Sequence, residues 1–213
     1  MNDVEKLIEK ILNHFAGRDF TEELEKAKKE FFDHAVMDQD RNDHYELRMN
    51  QFFDWYFFSR KLSNFGQTPL EACLLVRELR FDEDELLLLA VLKKNVHSLF
   101  EFNKIKGKDV YIKDIIKNNK IVVKDSNVLF GFNEEEIFEA RLIQLDGQWR
   151  FLKGFCFHPY SVKKIILTEV KKFRKNTDLD PESFIFRLMK MRYKFEQYKH
   201  VKPEMIYSQE VLA

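Results

Sequence analysis

The sequence predicts an α+β protein with a helical N-terminal half, a central five-stranded antiparallel barrel-like sheet and two C-terminal helices. Apolar residues recur at helical spacings of three and four up to about residue 95. From Ser98 the period becomes two and β-branched and aromatic residues dominate, which is typical of strands. The helical period returns after Pro159. The 22 Phe against 6 Gly and 4 Pro indicate aromatic packing with short connections.

The first three helices are predicted from apolar stripes and capping residues. The first helix is predicted to end at Gly17. Its apolar stripe consists of Val4, Leu7, Ile8, Ile11, Leu12 and Phe15. Thr21, followed by two glutamates, begins a second helix that runs to about residue 37. Asp43 and Glu46 have the spacing of a capping box, which predicts a third helix to about residue 60.

Two further helices carry the clearest start signals. These are capping boxes, the first with a proline in its first turn: Thr68, Pro69 and Glu71, then Asp82 and Glu85. The helices are expected to end near residues 79 and 94. The run Leu86–Leu92 is apolar on nearly every side, so we expect the last helix to be central.

Five short strands are predicted in the middle of the chain. We expect them over Ser98–Lys106, Asp109–Asp114, Lys120–Asp125, Ile137–Leu145 and Trp149–Phe157. The turn between the last two contains Asp146-Gly147, two residues that tolerate positive φ, so it predicts a hairpin. Short antiparallel strands usually curl into a partly closed barrel, because a flat sheet leaves its edges exposed.

Two C-terminal helices are predicted over Ser161–Lys175 and Pro181–His200, the second capped by Asp180. The chain is therefore divided into a helical region at 1–95, a small β domain at 96–159 and C-terminal helices at 160–213. We expect the C-terminal helices to pack on the rest as one compact body.

The sequence indicates a cytoplasmic protein. Met1–Phe15 lacks the uninterrupted apolar segment of a secretory signal. The longest apolar run, Leu86–Leu92, is far shorter than the roughly 20 residues that span a membrane. Cys73 and Cys156 lie in segments expected to be buried, so we predict reduced thiols rather than a disulfide.

The zero net charge is the sum of unequal parts. Residues 1–90 contain 12 Lys/Arg and 20 Asp/Glu, which gives −8; residues 91–159 contain 12 and 9, which gives +3; residues 160–213 contain 12 and 7, which gives +5. Such asymmetry indicates either an interaction face or helices whose opposite fields attract within one fold.

Several stretches resemble a poorly characterised family of bacterial proteins. They are Gln51–Leu62, Gln67–Glu71, Val96–Phe102, Val110–Ile115, Ile121–Ser126 and Ile137–Leu142. The resemblance covers about residues 50–160 and implies an aromatic helix and a Thr-Pro-Leu-Glu start before a small β segment. Many relatives carry a zinc motif like that at the C-terminus of the SecA motor. This chain has no such Cys cluster, and the family implies no particular activity.

No metal or cofactor is expected. The acidic stretch 33–44 contains His34, Asp38 and His44, but Asp43 and Met49 stand where a calcium loop needs glycine and glutamate. Its residues are interpreted as an acidic connection with helix caps. Neither the phosphate-loop pattern nor the dinucleotide-binding glycine pattern occurs.

Two other groups are interpreted as structural. The aromatic run from Phe52 to Phe58 covers every side of a helix, which indicates core packing. Cys156 and His158 point to the same side of a strand, but side chains at that spacing lie about 7 Å apart, too far for a Cys/His nucleophile pair. No catalytic residue is predicted.

A basic face is the candidate site. It consists of Lys163, Lys164, Lys171, Lys172, Arg174, Lys175, Lys190, Arg192 and Lys194. Clustered cations bind phosphates by releasing counterions, and Tyr111, Trp149 and Phe151 are candidate stacking rings. Overall neutrality and an acidic N-terminal third weigh against nucleic acid. The same cations also suit the solvated face of amphipathic helices.

We therefore favour an interaction or scaffolding protein that binds a protein partner or itself. The alternatives are nucleic-acid binding through the basic C-terminal helices and β domain, or an enzyme whose site comes from residues distant in sequence. If the chain is an interaction protein, we expect an exposed apolar patch or a stable oligomer.

Overall fold

The computed structural model describes residues 3–32, 42–129, 131–133, 136–176 and 179–209. These residues form two compact units, one of residues 3–32 and 42–95 and the other from residue 96 onward. Helices make up the first unit, and the second combines a curled antiparallel sheet with further helices. The predicted α+β class is confirmed.

The described part of the first unit contains five α-helices: α1 Asp3–Phe15, α2 Thr21–Phe32, α3 Asn42–Phe58, α4 Pro69–Ala72 and α5 Glu83–Lys93. Both predicted capping boxes form, at Thr68 with Glu71 and at Asp82 with Glu85. The helix α4 is shorter than predicted. It continues as one 3-10 turn, Cys73–Leu75, and ends because the backbone at Val76 is extended.

The aromatic run of α3 forms the core of the first unit, as predicted. Phe52, Tyr56 and Phe57 are fully buried. The Phe52 ring lies edge-on to Phe31 of α2, with the ring centroids 5.4 Å apart. The Tyr56 hydroxyl donates to the Phe15 carbonyl oxygen at 2.7 Å, so α3 is joined to the end of α1 without leaving a buried hydroxyl unsatisfied.

Arg60 is a buried cation just after α3. Its Nε donates to Glu30 Oε2 at 2.6 Å and its Nη2 to Glu30 Oε1 at 3.1 Å, a two-pronged contact. Its Nη1 donates to Glu23 Oε1 at 2.5 Å. Both carboxylates belong to α2, so Arg60 ties the end of α3 to that helix.

The expectation that α5 is central is wrong. Among its apolar residues only Leu89 and Leu92 are buried, whereas Leu86 and Leu87 are 45% and 68% exposed. The helix lies at the surface of its unit because a single face meets the core. The run Leu86–Leu92 is therefore not evidence of burial on all sides.

The sheet of the second unit has the order β3-β2-β1-β4-β5, with all pairs antiparallel. Its strands are β1 Val96–Lys106, β2 Asp109–Asp114, β3 Asn119–Val123, β4 Ile137–Leu145, β5 Gln148–Phe151 and the two-residue β6 Cys156–Phe157. The predicted last strand is interrupted, so that β5 and β6 pair with β4 in succession. The sheet curls into a half-barrel. At its two ends, Arg150 Nη1 of β5 donates to the carbonyl oxygen of Lys124, which follows β3, at 2.5 Å.

The hairpin between β4 and β5 forms at the predicted turn, where Asp146 and Gly147 have φ of 50° and 73°. One face of the sheet is filled by phenylalanines. Rings of Phe138, Phe151 and Phe155 lie with centroids 5.2 to 6.3 Å apart. Such tilted pairs bury large apolar areas at favourable geometry.

The described part of the second unit also contains three α-helices: α6 Lys163–Phe173, α7 Pro181–Gln197 and α8 Pro203–Gln209. The third was not predicted, although Pro203 at its start is a usual helix-initiating residue. The helices and the sheet share one apolar core that includes Leu99, Ile166, Leu188 and Tyr207. Among the described residues, no helix combines the length and the hydrophobicity needed to cross a membrane.

Candidate functional site

The predicted basic residues lie on α6 and α7, with Arg174 and Lys175 in the turn just after α6, and several contact neighbouring groups. Lys163 pairs with Glu101 at 2.7 Å, Lys172 with Glu169 at 2.7 Å and Arg192 with Glu196 at 2.9 Å. Arg174 donates to the carbonyl oxygens of Ile115 and Ile116, and the Lys190 ammonium lies 4.9 Å from the centroid of the Phe186 ring. Lys194 is partly buried.

Lys164 and Lys171 are exposed on α6, and Lys175 is exposed in the turn just after that helix. The candidate stacking rings are less open. Phe151 is buried in the aromatic core, so it offers no face to a base. Tyr111 has the Lys104 ammonium 5.3 Å from its ring centroid.

The exposed face of α5 is the first feature that the sequence did not predict. Glu83, Leu86, Leu87, Ala90 and Lys94 are all exposed. Their spacings of three, one, three and four place them on one side of the helix, opposite the buried Leu89 and Leu92. The face is therefore acidic at one end, apolar in the middle and basic at the other end.

A buried polar cluster in the second unit is the second such feature. His97 of β1 lies between two carboxylates. Its Nε2 is 3.0 Å from Glu139 Oε1, and its Nδ1 is 2.9 Å from both oxygens of Glu182. Arg141 Nη2 lies 3.6 Å from Glu182 Oε2. His97 and Arg141 face each other across β1 and β4, and α7 supplies Glu182.

Cys156 and His158 adjoin this cluster. Cys156 pairs with Glu139 across β6 and β4. One ligand atom from each of Glu139, Cys156 and His158 lies within 4.8 Å of the other two, and all three residues are buried. The expected separation of Cys156 and His158 is therefore wrong. His158 follows the end of β6, where the chain no longer has the regular alternation from which that separation was inferred.

Tyr207 of α8 completes the cluster. Its hydroxyl and His158 Nδ1 share a hydrogen bond of 2.8 Å. His158 Nε2 is buried and has no hydrogen-bond partner among the described residues. A buried nitrogen in that position is unusual, because nearly all buried polar atoms are paired.

Burial and neighbouring charges separate the pKa values of the two histidines. Burial and Arg141 lower the pKa of His97, but the hydrogen bonds to Glu139 and Glu182 outweigh them and raise it to about 9. Burial, followed by the positive Arg192, lowers the pKa of His158 to about 3. Burial raises the pKa of the Cys156 thiol well above its usual value. At neutral pH the cluster therefore contains an imidazolium, a neutral imidazole and a thiol.

Sequence reasoning missed this cluster, although one signal was present. Glu139 and Arg141 are charged residues within β4, a strand whose other residues are mostly apolar. Buried charges are nearly always paired, so they predict polar partners on adjacent elements. The acidic stretch 33–44, including His34, Asp38, Asp43 and His44, lies in the part of the chain whose side chains are not described.

Comparisons with known proteins place the chain in a family without assigning an activity. No curated protein and no solved structure matches it. A family model described as a family of unknown function (DUF7986) matches residues 2–200. This match is wider than the resemblance over about residues 50–160. The chain therefore belongs to this family of unknown function.

Proposed function

We propose that this protein is an interaction or scaffolding protein, and that the exposed face of α5 binds a second copy of the same chain. The observation that carries the proposal is the exposure of Leu86 and Leu87, which are 45% and 68% accessible on a regular helix. Isolated exposed leucines are ordinary, but adjacent ones on a single helix face are typical of contact surfaces.

Charge supports a second copy as the partner. Two α5 helices packed antiparallel across a two-fold axis place Glu83 of one copy beside Lys94 of the other, and the reverse pair forms at the opposite end. In this register Leu87 of each copy faces Ala90 of the other near the centre. Antiparallel packing also sets each helix N-terminus beside the C-terminus of the other helix.

The surface is small, so the dimer is expected to be weak. From Glu83 to Lys94 the helix extends about 16 Å at 1.5 Å per residue. Leu74 and Leu75, exposed in the 3-10 turn after α4, add further apolar surface in the same unit. We expect a Kd in the micromolar range, as for the smaller interfaces between proteins.

The nucleic-acid alternative has less support. It rests on the exposed Lys164 and Lys171 of α6 and the exposed Lys175 just after it. Lys163 and Arg192 already have acidic partners, and the buried Phe151 offers no stacking face. Fluorescence anisotropy with single-stranded RNA and duplex DNA at two salt concentrations tests this alternative, because phosphate binding weakens steeply with salt.

The test of the proposed dimer is sedimentation equilibrium over about 1 to 100 μM, a range that brackets a micromolar Kd. The wild-type chain is expected to dimerise, and Leu87→Glu to weaken dimerisation at least tenfold because it buries a charge at the centre of the interface. Leu179→Glu is the matched control, since Leu179 is 46% exposed outside α5. A wild-type chain that stays monomeric, or equal dimerisation of L87E, contradicts the proposal.

A charge exchange tests the antiparallel arrangement itself. Lys94→Glu sets like charges against each other in both symmetric pairs and is expected to raise the Kd by up to about tenfold. The double variant E83K/K94E restores opposite charges and is expected to recover the wild-type Kd. Failure of the double variant to recover dimerisation, with its helix content unchanged, rejects the antiparallel arrangement.

A further inference from the structure

We propose that Glu139, Cys156 and His158 form a binding site for a divalent transition-metal ion of the zinc class. The proposal is independent of the α5 surface. It rests on the pairing of β4 with β6, which sets the three side chains within 4.8 Å of one another in the interior of the second unit.

The donor types select the class of ion. A carboxylate oxygen, a thiolate sulfur and an imidazole nitrogen are the usual ligands of Zn²⁺, whereas Ca²⁺ and Mg²⁺ are bound by oxygen atoms. In tetrahedral zinc sites the ligand atoms are about 3.3 to 3.8 Å apart. The three atoms would therefore close by about 1 Å on binding, within the reach of small side-chain rotations.

The state of His158 is the second observation that points to a ligand. The residue is 1% exposed, and its Nε2 has no hydrogen-bond partner among the described residues. Tyr207 already contacts Nδ1 at 2.8 Å. Metal-binding histidines usually use one ring nitrogen for the ion while a neighbouring group holds the other. Tyr207 is placed to hold the ring in that way.

The surroundings orient Glu139 in the same manner. His97 contacts its Oε1 at 3.0 Å, and Glu182 holds the opposite side of the His97 ring. With Cys156 as a thiolate, the two anionic ligands balance the charge of a divalent ion. The nearby Arg192 is paired with Glu196 at 2.9 Å, which offsets its positive charge.

Access determines how the site must be loaded. All three ligands are buried, so an ion enters a folded chain only after local opening or binds while the second unit folds. A titration must therefore include both native protein and protein refolded with the metal. Binding by either route supports the site.

The experiment uses Co²⁺ as the probe with the untagged full-length chain, and it reads the thiolate-to-cobalt charge-transfer absorption together with bound cobalt per chain. We expect one Co²⁺ per chain with the sulfur band, displaced by Zn²⁺. The chain offers a matched pair of thiols, since Cys73 and Cys156 are both buried, one in each unit. The variant C73S is expected to keep the band and C156S to lose it.

The result does not depend on the stability of C156S. In C73S only Cys156 remains as a thiol, so a sulfur band in that variant assigns the ligand directly. Absence of bound cobalt in wild type after both native titration and refolding overturns the proposal. So does bound cobalt without the sulfur band, or a band that C73S abolishes.

Discussion

In each unit a buried cationic side chain lies between two carboxylates, and these two side chains differ in chemistry. In the first unit Arg60 contacts Glu23 and Glu30. In the second His97 contacts Glu139 and Glu182. A guanidinium remains charged at every pH a protein experiences, whereas an imidazole can lose its charge. The same arrangement is therefore permanent in one unit and depends on pH in the other.

The comparison also separates a structural contact from a site. Arg60 joins α2 to the end of α3, and its Nε, Nη1 and Nη2 groups all donate to those two carboxylates. His97 instead lies beside further titratable side chains, because Glu139 is also paired with Cys156. A buried ion pair by itself indicates little about function, and what surrounds it decides its interpretation.

Arg60→Ala is one of two changes with the largest expected effect. The change leaves the largely buried carboxylate of Glu23 without its cation. We expect the free energy of unfolding of the first unit to fall by about 3 kcal/mol. The loss is not larger because Glu30 is partly exposed and can be solvated. Urea unfolding measures the loss. In a Trp149→Phe background, Trp55 of α3 is the remaining tryptophan and reports on the first unit. Arg77→Ala, at an exposed position, is the control and is expected to change stability by less than about 0.5 kcal/mol.

The second prediction is a loss of stability of the second unit at alkaline pH. The pKa of His97 is about 9 in the folded protein and 6.5 for the free group, so the stabilisation is complete below pH 6.5 and is lost as pH rises through 9. The loss is of the order of 3 kcal/mol. This loss is measured by urea unfolding of the metal-free protein. The fluorescence of Trp149 in a Trp55→Phe background monitors the unfolding.

Two comparisons sharpen this pH prediction. His97→Gln is expected to be less stable than wild type at pH 6.5 but to lose the dependence on pH between 6.5 and 9. The guanidinium of Arg60 stays charged throughout this window, so the first unit is expected to respond less. If H97Q retains the wild-type slope, another group causes the loss.

The smallest expected effect is that of Glu182→Gln. Glu182 is 39% exposed, so its contact with His97 is partly screened, and we expect a cost of about 1 kcal/mol at neutral pH. Only Glu139 then raises the pKa of His97, so the alkaline loss should begin at lower pH. Glu204→Gln on α8 is the control. An alkaline midpoint equal to that of wild type would assign the raised pKa to Glu139 alone.

Local signals in the sequence predicted much of the fold. The capping boxes at Thr68 and Asp82 formed, because a cap depends on residues three positions apart. The turn at Asp146-Gly147 formed because both residues tolerate positive φ. The exposure of Leu86 and Leu87 was not predicted. Periodicity describes a helix face but not which neighbour covers it.

By itself the sequence determined the α+β class, the change of period near Ser98 and the aromatic core, since each depends on residues close together in the chain. Only the tertiary structure decided the buried cluster. His97, Glu139, Cys156 and Glu182 come from four elements, and the register of β1 and β6 against β4, with the packing of α7, sets their distances. A shift of one residue in either register would turn these side chains to the opposite face of the sheet.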